Sequence, residues 1–135
     1  MILTFLKTIV ITLLLVFVTA CSAINPVGKA DTVEQKAYAA YGTYVIFAEK
    51  AADLVERPDL STSVKLKLIE AEERASPIVK QLLGTTQEYA AIQAEVAAGT
   101  TSEERLLIVS GQLNNWVNRL LPLIDNLIRT VKGAD

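Results

Sequence analysis

Apolar residues recur along this chain in two different patterns. From Thr8 to Ala20 they run almost without interruption, 13 residues without a charge (TIVITLLLVFVTA). From residue 33 onward they return at alternating steps of three and four, the spacing that lines one face of an α-helix. Val33, Ala37, Ala40, Tyr44, Phe47, Ala51 and Leu54 form the first such stripe, which Tyr41, Val45, Ala48 and Val55 widen. Asp31 or Thr32 supplies the N-cap, and Glu34 or Gln35 completes a capping box. Pro58 stops the helix after Arg57, because the residue before a proline is pushed out of the helical region.

A second stripe runs Val64, Leu68, Ala71, Ala75, Ile78 and Leu82, and continues in register through Thr85, Tyr89, Ile92 and Val96. Ser61 is its expected N-cap, with Leu60 as the preceding staple residue. Pro77 and Gly84 interrupt it, so the pattern predicts either one bent helix or two segments broken near Ser76 or Gly84. Gly99 and Thr100 end it, and Thr101-Ser102-Glu103-Glu104 reads as the capping box of a third helix. There Leu106, Val109, Leu113, Trp116, Leu120, Leu123, Leu127 and Thr130 form one stripe. Leu107, Val117, Leu121, Ile124, Ile128 and Val131 form another. Pro122 is expected to bend this helix, and Lys132-Gly133 to close it. No alternating strand pattern is present. The reading is all-α: an up-down-up antiparallel three-helix bundle over residues 31–135.

The first apolar run is of a different kind. It follows a short segment ending in Lys7, and it is too short for the roughly 20 residues a spanning helix needs. It has the length of a signal-peptide core, and it closes on Val18-Thr19-Ala20-Cys21. These four residues resemble the bacterial lipobox: an aliphatic residue, a small residue, Ala or Gly, then Cys. The resemblance implies that residues 1–20 are a lipoprotein signal peptide recognised through Val18, Thr19 and Ala20 and cut by signal peptidase II. It further implies that the Cys21 sulfur carries a diacylglycerol thioether and that the new amine carries an N-acyl chain. Small residues before the cut let the backbone enter a narrow protease site, and the thiolate is the nucleophile toward the lipid donor. Acyl chains hold a protein in one leaflet at about 0.8 kcal/mol per buried methylene, durably when there is more than one. Two other readings compete: an uncleaved anchor, and an ordinary signal peptide whose Cys is incidental. Ser22, Asn25, Pro26 and Gly28 spoil the second half of any spanning helix. Ser22 occupies the sorting position, where a residue other than Asp favours the outer membrane by the same resemblance. Residues 21–30 then read as the lipidated Cys and a flexible tether.

Composition narrows what the body can do. Removing residues 1–20 leaves 115 of 135 residues, enough for one small domain. Lys7 is the one charge in that leader, so 12 Lys and Arg remain against 15 Asp and Glu, with no basic run. Neither nucleic acid nor an anionic head-group patch is indicated. The absence of His excludes imidazole catalysis and His metal sites, and a lone Cys forms no internal disulfide. No catalytic residue, metal site or cofactor other than the covalent lipid is expected.

Three groups of residues are candidates for chemistry. Glu70 and Glu73 lie on one helix face, beside Glu72 and Arg74, and would serve as an acid/base pair only if buried together. Consecutive charges on an amphipathic helix are more often its solvated face. Tyr38, Tyr41, Tyr44 and Phe47 step by three around the first helix, as a binding strip or, more commonly, as core with hydroxyls at the boundary. Trp116 with Asn114, Asn115, Asn118 and Arg119 is the most polar and aromatic part of the third helix. Trp116, Asn115 and Arg119 are therefore the candidate interaction surface, since Trp and Arg favour interfaces.

The segment Lys36–Val55 (KAYAAYGTYVIFAEKAADLV) also resembles one in small, uncharacterised predicted lipoproteins of bacteria and their phages, to which no activity attaches. The expectation is a non-catalytic structural or interaction module on the periplasmic side of the outer membrane. It would be held to the membrane by its lipid and would meet an envelope protein or a second copy. The alternatives are a phage-type lipoprotein of superinfection exclusion or lysis, and a carrier of a hydrophobic ligand within the bundle.

Overall fold

The computed structural model describes residues 27–135, which form three helices: α1 (Val33–Glu56), α2 (Thr62–Ala97) and α3 (Glu103–Ala134). These residues are 84% helical and contain no strand. Each helix packs against both others through short connections, giving the up-down-up bundle; α2 with α3 makes the broadest contact and α1 with α2 the narrowest.

Local chemistry accounts for most of the boundaries. Thr32 caps α1 through a complete capping box. The Gln35 N–H donates to Thr32 Oγ1 at 3.1 Å, and Gln35 Oε1 accepts from the N–H groups of Asp31 (2.9 Å) and Thr32 (3.3 Å). Arg57, before Pro58, takes extended backbone and ends α1. Ser61 caps α2 by accepting from Val64 N–H. At the far end Gly99 adopts φ +72°, with Thr100 N–H donating to Glu95 O and Gly99 N–H to Val96 O. That is a Schellman ending, and it requires the left-handed residue that Gly supplies.

One open alternative is decided and three expectations are corrected. First, of the two alternatives for α2 the single helix holds: it has 36 residues and runs through both Pro77 and Gly84. Pro77 is exposed, so the carbonyl it leaves without a helical partner can be solvated, while the flanking turns stay packed through Ala75 and Val79. Second, Ser102 is the N-cap of α3 but makes no side-chain cap bond, so the expected capping box does not form. The acidic first-turn residues Glu103 and Glu104 instead complement the helix dipole. Third, α3 does not close at Lys132-Gly133 but continues to Ala134. Fourth, packing begins before residue 31. Val27 is half-buried against the core, and a turn follows in which Ala30 N–H donates to Val27 O.

The core joins Ala37, Ala40, Tyr44, Ala51 and Leu54 of α1 to Leu68–Leu82 of α2 and Leu113–Val131 of α3. On α3 the two stripes merge. The buried line is Leu113, Val117, Leu120, Ile124, Leu127 and Val131, a run of alternating fours and threes drawn from both. Thr86, the buried polar side chain, donates from Oγ1 to Leu82 O at 2.7 Å. Among the described residues no buried side-chain polar atom is left without a partner.

The helices differ in length: 24 residues in α1 against 36 in α2 and 32 in α3. At 1.5 Å per residue these are about 36, 54 and 48 Å. The α2–α3 hairpin therefore projects beyond α1, at the end where the chain enters the bundle. Ile92 and Val109 are buried in this projection, apart from the cluster the three helices share.

Candidate functional site

The residues predicted to carry lipid chemistry lie outside the described residues. These are Cys21 as attachment point, Val18, Thr19 and Ala20 as protease recognition, and Ser22 as sorting position. The described chain nevertheless sets where they join the body. It enters at Val27, beside the first turn of α1 and on the hairpin side of the bundle.

The structure brings Trp116 and Arg119 together. Both sit on α3, and the Arg119 guanidinium carbon lies 4.7 Å from the centre of the Trp116 ring, a cation–π arrangement. Trp116 is half-buried against the core, whereas Asn115 and Arg119 are exposed, as are Asn114 and Asn118. The indole thus anchors the cluster, and the guanidinium remains at the surface.

Glu70 and Glu73 do not form a chemical pair. Both are exposed, and Glu70 accepts a 2.6 Å bond from Arg74 Nη2 one turn on, a surface ion pair of the i,i+4 kind. Among the described residues no group of His, Cys, Asp or Glu is arranged to hold a metal ion.

The aromatic run divides by its drift around α1. Tyr38 is 56% exposed, Tyr41 and Phe47 are half-buried, and Tyr44 belongs to the core. The Tyr44 hydroxyl donates to Glu72 Oε1 at 2.6 Å, tying α1 to α2. Burial, and then the bond to the Glu72 carboxylate, push the Tyr44 phenol up to about 12, because both disfavour a phenolate there.

Below this bond an open groove of about 460 Å³ runs between α1 and α2. Ala48, Ala51, Ala52, Val55, Leu68 and Ile69 line it, with Glu56, Glu72 and Glu73 also on its walls. Five of the side chains lining it, Ala48, Ala51, Ala52, Val55 and Ile69, are small or β-branched. The groove admits an apolar chain, and its carboxylates suit a cationic end group. Periodicity alone did not reveal it: Ala48, Ala52 and Val55 share the spacing of core residues, yet in the bundle Ala52 is exposed and Ala48 and Val55 are only half-buried.

Comparison with protein-family models, with curated proteins and with solved structures finds no match to this chain.

Proposed function

We propose that this protein is a lipid-anchored, non-catalytic helical module of the bacterial cell envelope, held at Cys21 and facing the periplasm from the outer membrane. The observation that carries the reading is the apolar run Thr8–Ala20 closing on Val18-Thr19-Ala20-Cys21, in a chain whose one Cys stands at that position. An all-helical body packed from Val27 onward is consistent with it, since only a short stretch then separates the anchor from the domain. Ser22 supports export to the outer membrane. The exposed Asn115 and Arg119 beside Trp116 provide a contact surface for such a module. The test is Cys21→Ala in the producing cell, with labelling by a radioactive fatty acid and mass measurement of the mature chain. The expected result is loss of label and retention of residues 1–20. A Cys21→Ala chain that is still trimmed after Ala20 and stays in the outer membrane refutes the reading.

A carrier of hydrophobic ligands is a second reading, favoured by the groove between α1 and α2. Saturable binding of a fluorescent alkylamine, lost in Ala52→Trp, supports it; no saturable binding removes it.

A further inference from the structure

The projecting α2–α3 hairpin has an unusual charge distribution. Glu88 is the one charged residue between positions 81 and 94 of α2, and none occurs between 106 and 118 of α3. Its extremity is different: Glu95, Glu103, Glu104 and Arg105 cluster there, with Arg105 and Glu95 paired at 3.5 Å across the two arms. On the outside of α3, Leu107 is 72% and Ile108 56% exposed. Ile108, Gln112, Asn115 and Arg119 follow one another at steps of four, three and four, an exposed ridge on one helix face. It is about 16 Å long at the helical rise. The other large exposed apolar residues are Tyr38 and Ile46 on α1 and Leu66 and Ile69 on α2.

With Cys21 read as the lipid-bearing residue, the covalent chain brings a bilayer to this end of the bundle. Six backbone steps separate Cys21 from Val27, and they span at most about 22 Å even when fully extended. Val27 is packed at the end of the bundle from which the hairpin projects, so a lipid on Cys21 keeps that end within reach of the bilayer. The face carries the side-chain types that an interfacial helix uses: aliphatic groups for the acyl boundary, amides and Arg for the head groups, and an amphipathic Trp beside them. The Arg119 guanidinium lies over Trp116 and, among the described residues, forms no ion pair with a carboxylate, which leaves it able to meet a lipid phosphate. A contact too weak to hold a free protein suffices here, because the anchor supplies a high local concentration of bilayer.

We infer that the outer face of α3 around Leu107, Ile108 and Arg119 lies against the phospholipid surface to which Cys21 is attached, so that the bundle rests on the membrane along this face. The inference rests on the reading of Cys21 as the lipid-bearing residue.

The test uses the full lipidated chain in vesicles of phosphatidylethanolamine and phosphatidylglycerol. Because the Cys21 sulfur is held in a thioether, an introduced Cys is the one free thiol. Leu107→Cys, Ile108→Cys and, as a control on α2, Glu73→Cys each carry an environment-sensitive fluorophore. Far-UV circular dichroism confirms folding of each, and the mass of the mature chain reports acylation separately. The expected result is blue-shifted emission at 107 and 108, quenched several-fold more by a lipid bearing a spin label in its acyl chain than at 73. In an otherwise lipidated chain, Arg119→Gln should reduce that quenching. Acylated chains whose labels at 107 and 108 are no more quenched than at 73 overturn the bilayer contact and leave the anchor standing. Labels that crosslink copies to one another without lipid quenching assign the face to a second copy and overturn it equally. A chain without acyl mass overturns the anchor, and the contact with it.

Discussion

Two leucines of α3, Leu107 and Leu120, have the same side chain on the same helix, and each falls on an apolar stripe of the sequence. In the bundle Leu120 is 0% and Leu107 72% exposed. Replacing each by Ala removes the same atoms, so the difference between the two variants measures the packing. Full burial of a Leu side chain is worth about 1.5–3 kcal/mol of transfer free energy. The incompletely collapsed cavity raises the cost of Leu→Ala to about 3–4 kcal/mol at a site enclosed by three helices. Leu120→Ala is therefore expected to lose a large fraction of the roughly 5–15 kcal/mol that stabilises a domain, with a fall in Tm of about 12–32 °C. Leu107→Ala should stay within about 0.5 kcal/mol of the parent, because its side chain is already hydrated and Ala is the better helix former. Urea unfolding followed by circular dichroism at 222 nm and by Trp116 fluorescence measures both. Unchanged m-values would license the comparison. If Leu107→Ala loses as much stability as Leu120→Ala, the placement of α3 in the bundle is wrong, and so is the free face on which the bilayer contact depends.

The two helix starts provide a paired test. Thr32→Ala removes a cap that accepts from Gln35 N–H and should cost about 1 kcal/mol, whereas Ser102→Ala, where no cap bond exists, should have little effect; equal losses in urea midpoint would contradict the assignment. Tyr44 should contribute an absorbance step at 295 nm near pH 12 that Tyr44→Phe abolishes. Its folded-state value is raised above the ordinary 10, so the associated stability is fully present below pH 10 and is lost as pH rises toward 12. With Glu72 half-exposed and able to rehydrate, Tyr44→Phe should cost only about 1 kcal/mol at neutral pH. A tyrosine spectrum in which Tyr44→Phe removes an ordinary step near pH 10 would refute the Tyr44–Glu72 bond.

Much of this protein is legible without coordinates. The three helices, the caps at Thr32 and Ser61, the stop at Arg57-Pro58 and the Gly99 ending all depend on interactions within a few residues, which a local pattern records. Local signals failed where a neighbour decides. Thr101-Ser102-Glu103-Glu104 has the residues of a capping box, yet the cap bond is absent. Pro77 breaks isolated helices, yet α2 continues through it, with packing on either side in Ala75 and Val79. The Glu70/Glu73 pair has suitable spacing for chemistry, but both carboxylates face solvent.

What the sequence by itself determined is therefore the all-α class, most of the helix ends and the expectation at Cys21, because helix formation and the lipobox resemblance are short-range properties. Which apolar residues are core was decided only in three dimensions. α3 has two stripes about a third of a turn apart, and either could turn inward as far as its own residues are concerned. α1 and α2 together cover a line between them; Leu107, beyond the end of the shorter α1, and Ile108, on the outer face with Gln112, Asn115 and Arg119, are left in the open. Burial is a relation between surfaces, so the same aliphatic side chain is core at Leu120 and an exposed contact at Leu107.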